Sequence, residues 1–177
     1  MKTGFTHEST YNESKEWYTP KEIFTAMGIH FDLDPCSPGK DIVPWVPADI
    51  HYTVENNGLL LPWIGNVFMN PPYGSDTPKW FKRLAEHGTG IGLVFARTDT
   101  QWFHTHAVKA DAICFIKGRV QFVRADDASK YVTGAINPKG GCGAASMLAA
   151  FGEQNVQALL RSGLGPVYKQ IKAHCAR

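Results

Sequence analysis

The chain has 177 residues, 44% of them hydrophobic and 19% charged, which suits one globular domain with one substantial core. No window approaches the roughly 20 consecutive apolar residues of a membrane span, and the opening "MKTGFTHEST" has no apolar signal core. The net charge of +2 hides an asymmetry: residues 1–78 carry 4 Lys/Arg against 10 Asp/Glu, while residues 79–177 carry 14 against 6.

A basic half on a near-neutral chain suits a polyanionic partner, with a solvated basic face as the plain alternative. The cysteines, Cys36, Cys114, Cys142 and Cys175, are far apart with no paired spacing. That argues against a zinc site or a disulfide framework and fits a reducing cytoplasm.

Residues 1–16 are polar and aperiodic, which predicts a flexible arm ahead of a single domain over 17–177. "TPKEIFTAMG" predicts a helix with Thr19 as N-cap, Pro20 at the first helical position and Gly28 as the stop. "IHFDLDP" reads as a strand ending in a turn, and residues 36–58 as loop with one short strand around 50–53. "GNVFMN" reads as a buried strand. "TPKWFKRLAEHG" is a helix capped by Thr77 and opened by Pro78, with Trp80, Phe81 and Leu84 on its apolar face and Gly88 closing it. "IGLVFA" is a further apolar strand, "DTQWFHTHAVKA" a helix, and "DAICFIKG" and "RVQFVR" strands. "AASMLAAF" is expected to be the last buried strand, with "EQNVQALLRSG" as the closing helix.

Short apolar strands alternating with helices predict an α/β fold with a mostly parallel sheet flanked by helices. In such sheets ligands bind beyond the carboxyl ends of the strands. Two predicted strands end there in unusual chemistry, "DLDPCSP" and "NPPY".

The second of these has a chemical logic. Prolines carry no amide donor, so the carbonyls of Asn70-Pro71-Pro72 are acceptors without a competing neighbour, and Asn70 adds a side-chain carbonyl. Tyr73 adds a flat face. Two rigid acceptors beside an aromatic platform suit a planar group bearing an NH2. The exocyclic amine of adenine or cytosine is a poor nucleophile because its lone pair is delocalised into the ring. Hydrogen bonds to Asn70 Oδ1 and the Pro71 carbonyl would pull that nitrogen toward a tetrahedral arrangement and aim its lone pair at an electrophile. Tyr73 would stack on the base, at ~1–3 kcal/mol for contacts of this kind, and the base must leave the duplex to arrive there. A plain Asn-Pro-Pro turn is the competing explanation.

On these residues the chain resembles the amino-methyltransferases that use S-adenosylmethionine, whose signature is [DNS]-P-P-[YFW]. It is most similar to the short Dam-type DNA adenine methyltransferases of phages and prophages. "EWYTPKEIF", "FDLDPCSP", "NNGLLLPWIGNVFMNPPYG", "WFKRLAE", "TDTQWF" and "KGRVQF" occur in that family's order. The resemblance implies a Rossmann-like methyltransferase domain, S-adenosylmethionine as donor, DNA as partner and a bacterial cytoplasm as the place of action. It implies that Asn70, Pro71, Pro72 and Tyr73 form the catalytic turn, and that Asp34, Pro35 and Cys36 end the first strand with the Asp34 carboxylate near the cofactor's ammonium. Thr19 and Pro20 match an element that closes over the methionine end. Asn57 stands where an acceptor for the cofactor's adenine amine is expected, and Asp49, with Glu55 in reserve, is the expected ribose carboxylate. Where larger relatives carry a glycine-rich turn, this chain has Ser37 and Pro38.

Arg97 follows the strand after the NPPY element, at the crevice end, and is expected at a DNA phosphate or the target strand, with a plain surface charge as the alternative. Lys117, Arg119, Arg124, Lys130 and Lys139, interleaved with Phe122 and Tyr131, suit contact with a DNA backbone. Trp102 and Phe103 read as core, and His104 and His106 point apart on a helix, which gives no metal site. The reading is a DNA adenine N6-methyltransferase. Its alternatives are a methyltransferase for another amine (cytosine N4, an RNA adenine, a protein glutamine) and an inactive DNA-binding remnant.

Overall fold

The structure, a computed structural model, describes residues 17–124, 136–137 and 143–170. In chain order it contains β1 (Trp17–Tyr18), α1 (Lys21–Met27), β2 (Phe31–Asp34), β3 (Ala48–His51), β4 (Val67–Met69), α2 (Thr77–His87) and β5 (Gly90–Phe95). Then come α3 (Gln101–Thr105), a 3-10 turn at Ala107–Lys109, β6 (Ala112–Phe115), β7 (Arg119–Val120), β8 (Val123–Arg124), β9 (Ile136–Asn137), β10 (Ser146–Phe151), α4 (Glu153–Ser162) and β11 (Val167–Lys169). The predicted arm over 1–16 lies outside the described residues.

Seven strands form one sheet in the order β11-β6-β10-β5-β4-β2-β3. β3, β2, β4 and β5 pair in parallel, and β10 runs antiparallel to both β5 and β6. β6 therefore shares the direction of the first four, and only β10 and β11 oppose it. The sheet is mixed in its pairings but mostly parallel in strand direction. Two separate ribbons, β1 with β8 and β7 with β9, stand apart from it.

Each face of the sheet carries its own core. Ile23, Phe24 and Met27 of α1 and Val156 and Leu159 of α4 pack with Phe31, Phe68 and Leu148 on one side. Trp80, Phe81 and Leu84 of α2 and Phe103 of α3 pack with Leu33, Met69 and Met147 on the other. Each of these large side chains adds roughly 1.5–3 kcal/mol of burial, so the sheet is clamped from both faces and its rim is fixed in place. Phe103 is core, as its spacing predicts, and Trp102 packs on Phe81.

Gly28 and Gly88 end α1 and α2 in the left-handed conformation that favours glycine. The helix starts differ from expectation. Pro20, not Thr19, holds the N-cap position of α1, so Pro20 lies just outside the helix. Asp76 takes that position in α2, with Thr77 and Pro78 as its first two helical residues. Neither threonine hydroxyl holds an N-cap: Thr19 has no hydrogen-bond partner for its hydroxyl among the described residues, and that of Thr77 bonds the Pro72 carbonyl and the Gly74 amide. The strand expected at 50–53 is β3, two residues earlier. β10 is the last buried strand, as expected; it inserts between β5 and β6, and the more exposed β11 follows at the edge.

Candidate active site

β3 and β4 leave β2 on opposite sides, so the strand order reverses at β2. The crevice where an α/β sheet takes its ligand opens beyond the carboxyl ends of these strands. Asp34 ends β2 and the Asn70 turn follows β4 directly.

Asp34 is 5% exposed and its carboxylate accepts the Cys36 amide at 3.1 Å. Burial pushes its carboxyl up to about 7, with that amide pulling the other way. The Cys36 thiol is pushed well above its usual range by burial and then by Asp34, while the Asn70 backbone amide facing it lowers it. The two turns are thus in contact through Cys36. Ser37, where glycine was expected, is built into the turn: its hydroxyl bonds His51 Nδ1 at 2.8 Å and accepts the Gly39 amide at 3.0 Å. His51 Nε2 donates to the Ala48 carbonyl at 3.1 Å. A carbonyl only accepts, so the neutral ring leaves Nδ1 as acceptor and Ser37 as donor. Burial, chiefly, lowers the His51 pKa and favours that neutral form.

The Thr19-Pro20 segment follows Trp17, whose carbonyl meets the Asn70 side chain. Thr19 is 3% exposed, and its hydroxyl finds no hydrogen-bond partner among the described residues. Its carbonyl is held by Trp45 Nε1 at 2.9 Å. On the other side, the Asn57-Gly58 turn presses on the first-strand turn. A Cβ at Gly58 would stand 1.9 Å from the Pro35 carbonyl oxygen, so only glycine allows the approach. Asn57, exposed and left-handed at φ 52°, is thereby brought beside Pro35. Arg83 of α2 donates to the Leu59 and Leu61 carbonyls and lies over Trp63, which pins the rest of that loop.

Asp49 does not join this group. It is exposed and pairs with His30 at 2.8 Å, ahead of β2 and away from the strands' carboxyl ends. Glu55, in the loop after β3, lies past the carboxyl end and is exposed, which makes it the better-placed carboxylate of the two.

In the NPPY turn, Asn70 Nδ2 donates to the Trp17 carbonyl at 3.2 Å, and its Oδ1 accepts the Tyr73 hydroxyl at 3.1 Å. The Tyr73 ring stacks on Phe95, centroids 4.0 Å apart and 12° from parallel, with Phe122 edge-on at 6.0 Å. Among the described residues nothing donates to the Pro71 carbonyl. Pro71 is buried and Pro72 exposed.

Phe95 and the Trp17 carbonyl escape a sequence reading. Phe95 resembles any strand-end aromatic, and a backbone carbonyl leaves no signature. Arg97, exposed and two residues past Phe95, stands close to this turn, and Lys117 is exposed just past β6, at the same end of the sheet. Arg119 is half-buried with Nη1 unpartnered among the described residues. Arg124 lies opposite Trp17 in the β1–β8 ribbon, and Lys130, Lys139 and Tyr131 lie outside the described residues. No three His, Cys, Asp or Glu among the described residues are grouped to hold a metal ion, and no described helix is long and apolar enough to cross a membrane.

Residues 7–142 match the family model of the DNA N-6-adenine-methyltransferase (Dam). The chain belongs to the Dam family. The family's reaction is methylation of the N6 amine of adenine in DNA, which settles the choice among amines in favour of that one. No curated protein and no solved structure matches the chain.

Proposed function

We propose that this Dam-family chain transfers a methyl group from S-adenosylmethionine to a flipped adenine, with Asn70 and Pro71 holding the amine. The observation that carries the reading is the pair of acceptors at the end of β4. The Pro71 carbonyl takes no donor among the described residues, and Asn70 is tied through Nδ2 to Trp17 so that its oxygen faces the other way. When bound, S-adenosylmethionine supplies an electrophilic methyl carbon on a sulfonium sulfur. The residues around the crevice fit it. Among the described residues, Asp34 is a buried carboxylate without a cation and Thr19 a buried hydroxyl without a partner; an ammonium and a carboxylate are the groups that would satisfy them.

Asn70 Oδ1 and the Pro71 carbonyl each take one amine hydrogen and turn the nitrogen lone pair toward the methyl carbon. Oδ1 has two lone pairs, so the Tyr73 hydroxyl can stay bound while the amine arrives. As the amine gains its bond to the methyl carbon, the methyl–sulfur bond would break with its electron pair left on sulfur as the neutral thioether S-adenosylhomocysteine; the amine becomes acidic, and its surplus proton passes to water. Asn57 faces the cofactor's adenine and Glu55, replacing Asp49, its ribose. Arg97, Lys117 and Arg119, with Arg124, Lys130 and Lys139, meet DNA phosphates. The enzyme acts in a bacterial cytoplasm and is encoded by a phage or prophage, a reading that rests on the order of its sequence blocks.

Incubation of the protein with DNA and tritium-labelled S-adenosylmethionine, followed by nucleoside analysis, tests the reading. Label in N6-methyladenine is expected, and Asn70→Ala is expected to lower the rate about 100- to 1000-fold, as loss of one aligned group at a reacting centre does. Folded protein that binds DNA but incorporates no label on several DNAs would identify an inactive remnant.

A further inference from the structure

The NPPY turn is donor-poor by composition, so its carbonyls depend on partners from elsewhere. Thr77 supplies one for the Pro72 carbonyl. Its hydroxyl donates to the Pro72 carbonyl at 3.3 Å and accepts the Gly74 amide at 3.1 Å, and its own amide donates to the Gly74 carbonyl at 3.2 Å. These bonds fall on the two residues that flank Tyr73. Thr77 is 7% exposed and is the first residue of α2, whose Trp80, Phe81 and Leu84 are packed into the core.

From this geometry we infer that Thr77 is a positioning residue for methyl transfer, acting through Tyr73 on Asn70. The inference rests on the catalytic role of that turn. The chain of contacts is continuous: a buried helix holds Thr77, Thr77 holds both sides of Tyr73, and Tyr73 bonds Asn70 Oδ1 while stacking on Phe95. Pro72 is exposed and Pro-Pro allows no amide bond within the turn, so the Thr77 hydroxyl is what ties that side of Tyr73 to the rigid part of the fold. Asp76 is the residue at the N-cap position. The hydroxyl of Thr77 is therefore spent on the turn and not on the helix it begins.

Two substitutions separate this role from a merely structural one. Thr77→Val keeps the shape and removes both hydroxyl bonds, whereas Thr77→Ser keeps the hydroxyl. Ala85→Gly weakens the same helix away from the turn. Thr77→Val is expected to lower kcat about tenfold or more, with the KM values for DNA and S-adenosylmethionine within about threefold of the parent's. Thr77→Ser is expected to restore kcat, and Ala85→Gly to lower Tm with kcat unchanged. A Thr77→Val protein with the parent's kcat, or a loss of kcat in Ala85→Gly that tracks its Tm equally, overturns the inference.

A crystal structure of Thr77→Val gives a second readout that does not need activity. Displacement of the Tyr73 ring from Phe95 and loss of its bond to Asn70 are expected, and an unmoved Tyr73 overturns the inference. A parent protein that never methylates adenine would instead sink the catalytic reading, with the crystal structure still deciding whether Thr77 holds Tyr73.

Discussion

The proposed catalytic turn and the crevice beside it are satisfied to different degrees. In the turn, Asn70, Tyr73 and Thr77 bond one another or nearby backbone, and Tyr73 has an aromatic neighbour on one face. Beside it, the nearly buried Asp34 carboxylate has a raised pKa, and the buried Thr19 hydroxyl has no partner among the described residues. A polar group out of water costs free energy unless it is bonded. The turn is therefore set in its working shape by the protein alone, while the crevice carries a cost that a zwitterionic ligand end would remove. Preorganisation belongs to the groups proposed to hold the amine, and unmet bonding capacity to those proposed to hold the donor.

Breaking each side should give a different signature. Asn70→Ala, with the largest effect, should abolish most methyl transfer while leaving cofactor binding near the parent's, measured by calorimetry. Asp34→Asn should do the reverse. Losing a hydrogen bond to a charged group costs roughly 1.5–3 kcal/mol, about a 10- to 100-fold loss of S-adenosylmethionine affinity.

The same substitution should stabilise the unliganded chain at alkaline pH. Burial raises the folded-state pKa of Asp34 to about 7, against 3.8 for an ordinary aspartate, so between these values the folded chain holds the extra proton. Its contribution to stability declines as pH rises through that window and stays low above it. At pH 8 the unliganded Asp34→Asn protein should melt above the parent, and near pH 4 the two should converge. Affinity moves the other way in the parent. Only the ionised carboxylate suits an ammonium, so binding should weaken as pH falls below about 7, and in Asp34→Asn that dependence should vanish. Parallel pH profiles for the two proteins would mean that Asp34 does not meet the cofactor.

Tyr73→Phe sharpens the contrast on the other side. It keeps the ring on Phe95 but frees Asn70 Oδ1, and a neutral hydrogen bond is worth ~0.5–1.5 kcal/mol. A fall in kcat of about 2- to 10-fold is expected in single-turnover assays, and a rise would mean that the phenol competes with the substrate amine. The smallest effect is expected from Arg97→Gln, which should reduce the slope of log affinity for DNA against log salt by about 1 and leave the methylated base the same. An unchanged slope would remove Arg97 from the DNA face.

Several parts of this site are legible in the chain because they are local properties. The missing donors of Pro71 and Pro72, the left-handed stops at Gly28 and Gly88, the apolar run of β4 and the carboxylate at the end of β2 follow from residue type and near neighbours. So do the alternation of strands and helices and the order of the family's blocks. Other features depend on which atoms come within about 3 Å, and those atoms are distant in sequence. Asn70 meets the carbonyl of Trp17 across 53 residues, and Asp49 is drawn to His30 and away from the crevice. Thr19 and Thr77 illustrate the limit most directly. Their positions suggest helix caps, and hydroxyls bond whatever is nearest. Thr77 is turned onto the NPPY turn, and the Thr19 hydroxyl has no partner among the described residues. β10 joins the centre of the sheet for a similar reason: pairing with β5 and β6 buries it on both edges and both faces, and that advantage exists only once those strands have been brought together. The sequence by itself determined what each residue is able to offer; the tertiary structure decided which partner takes the offer, because hydrogen bonds and burial are set by distance in space.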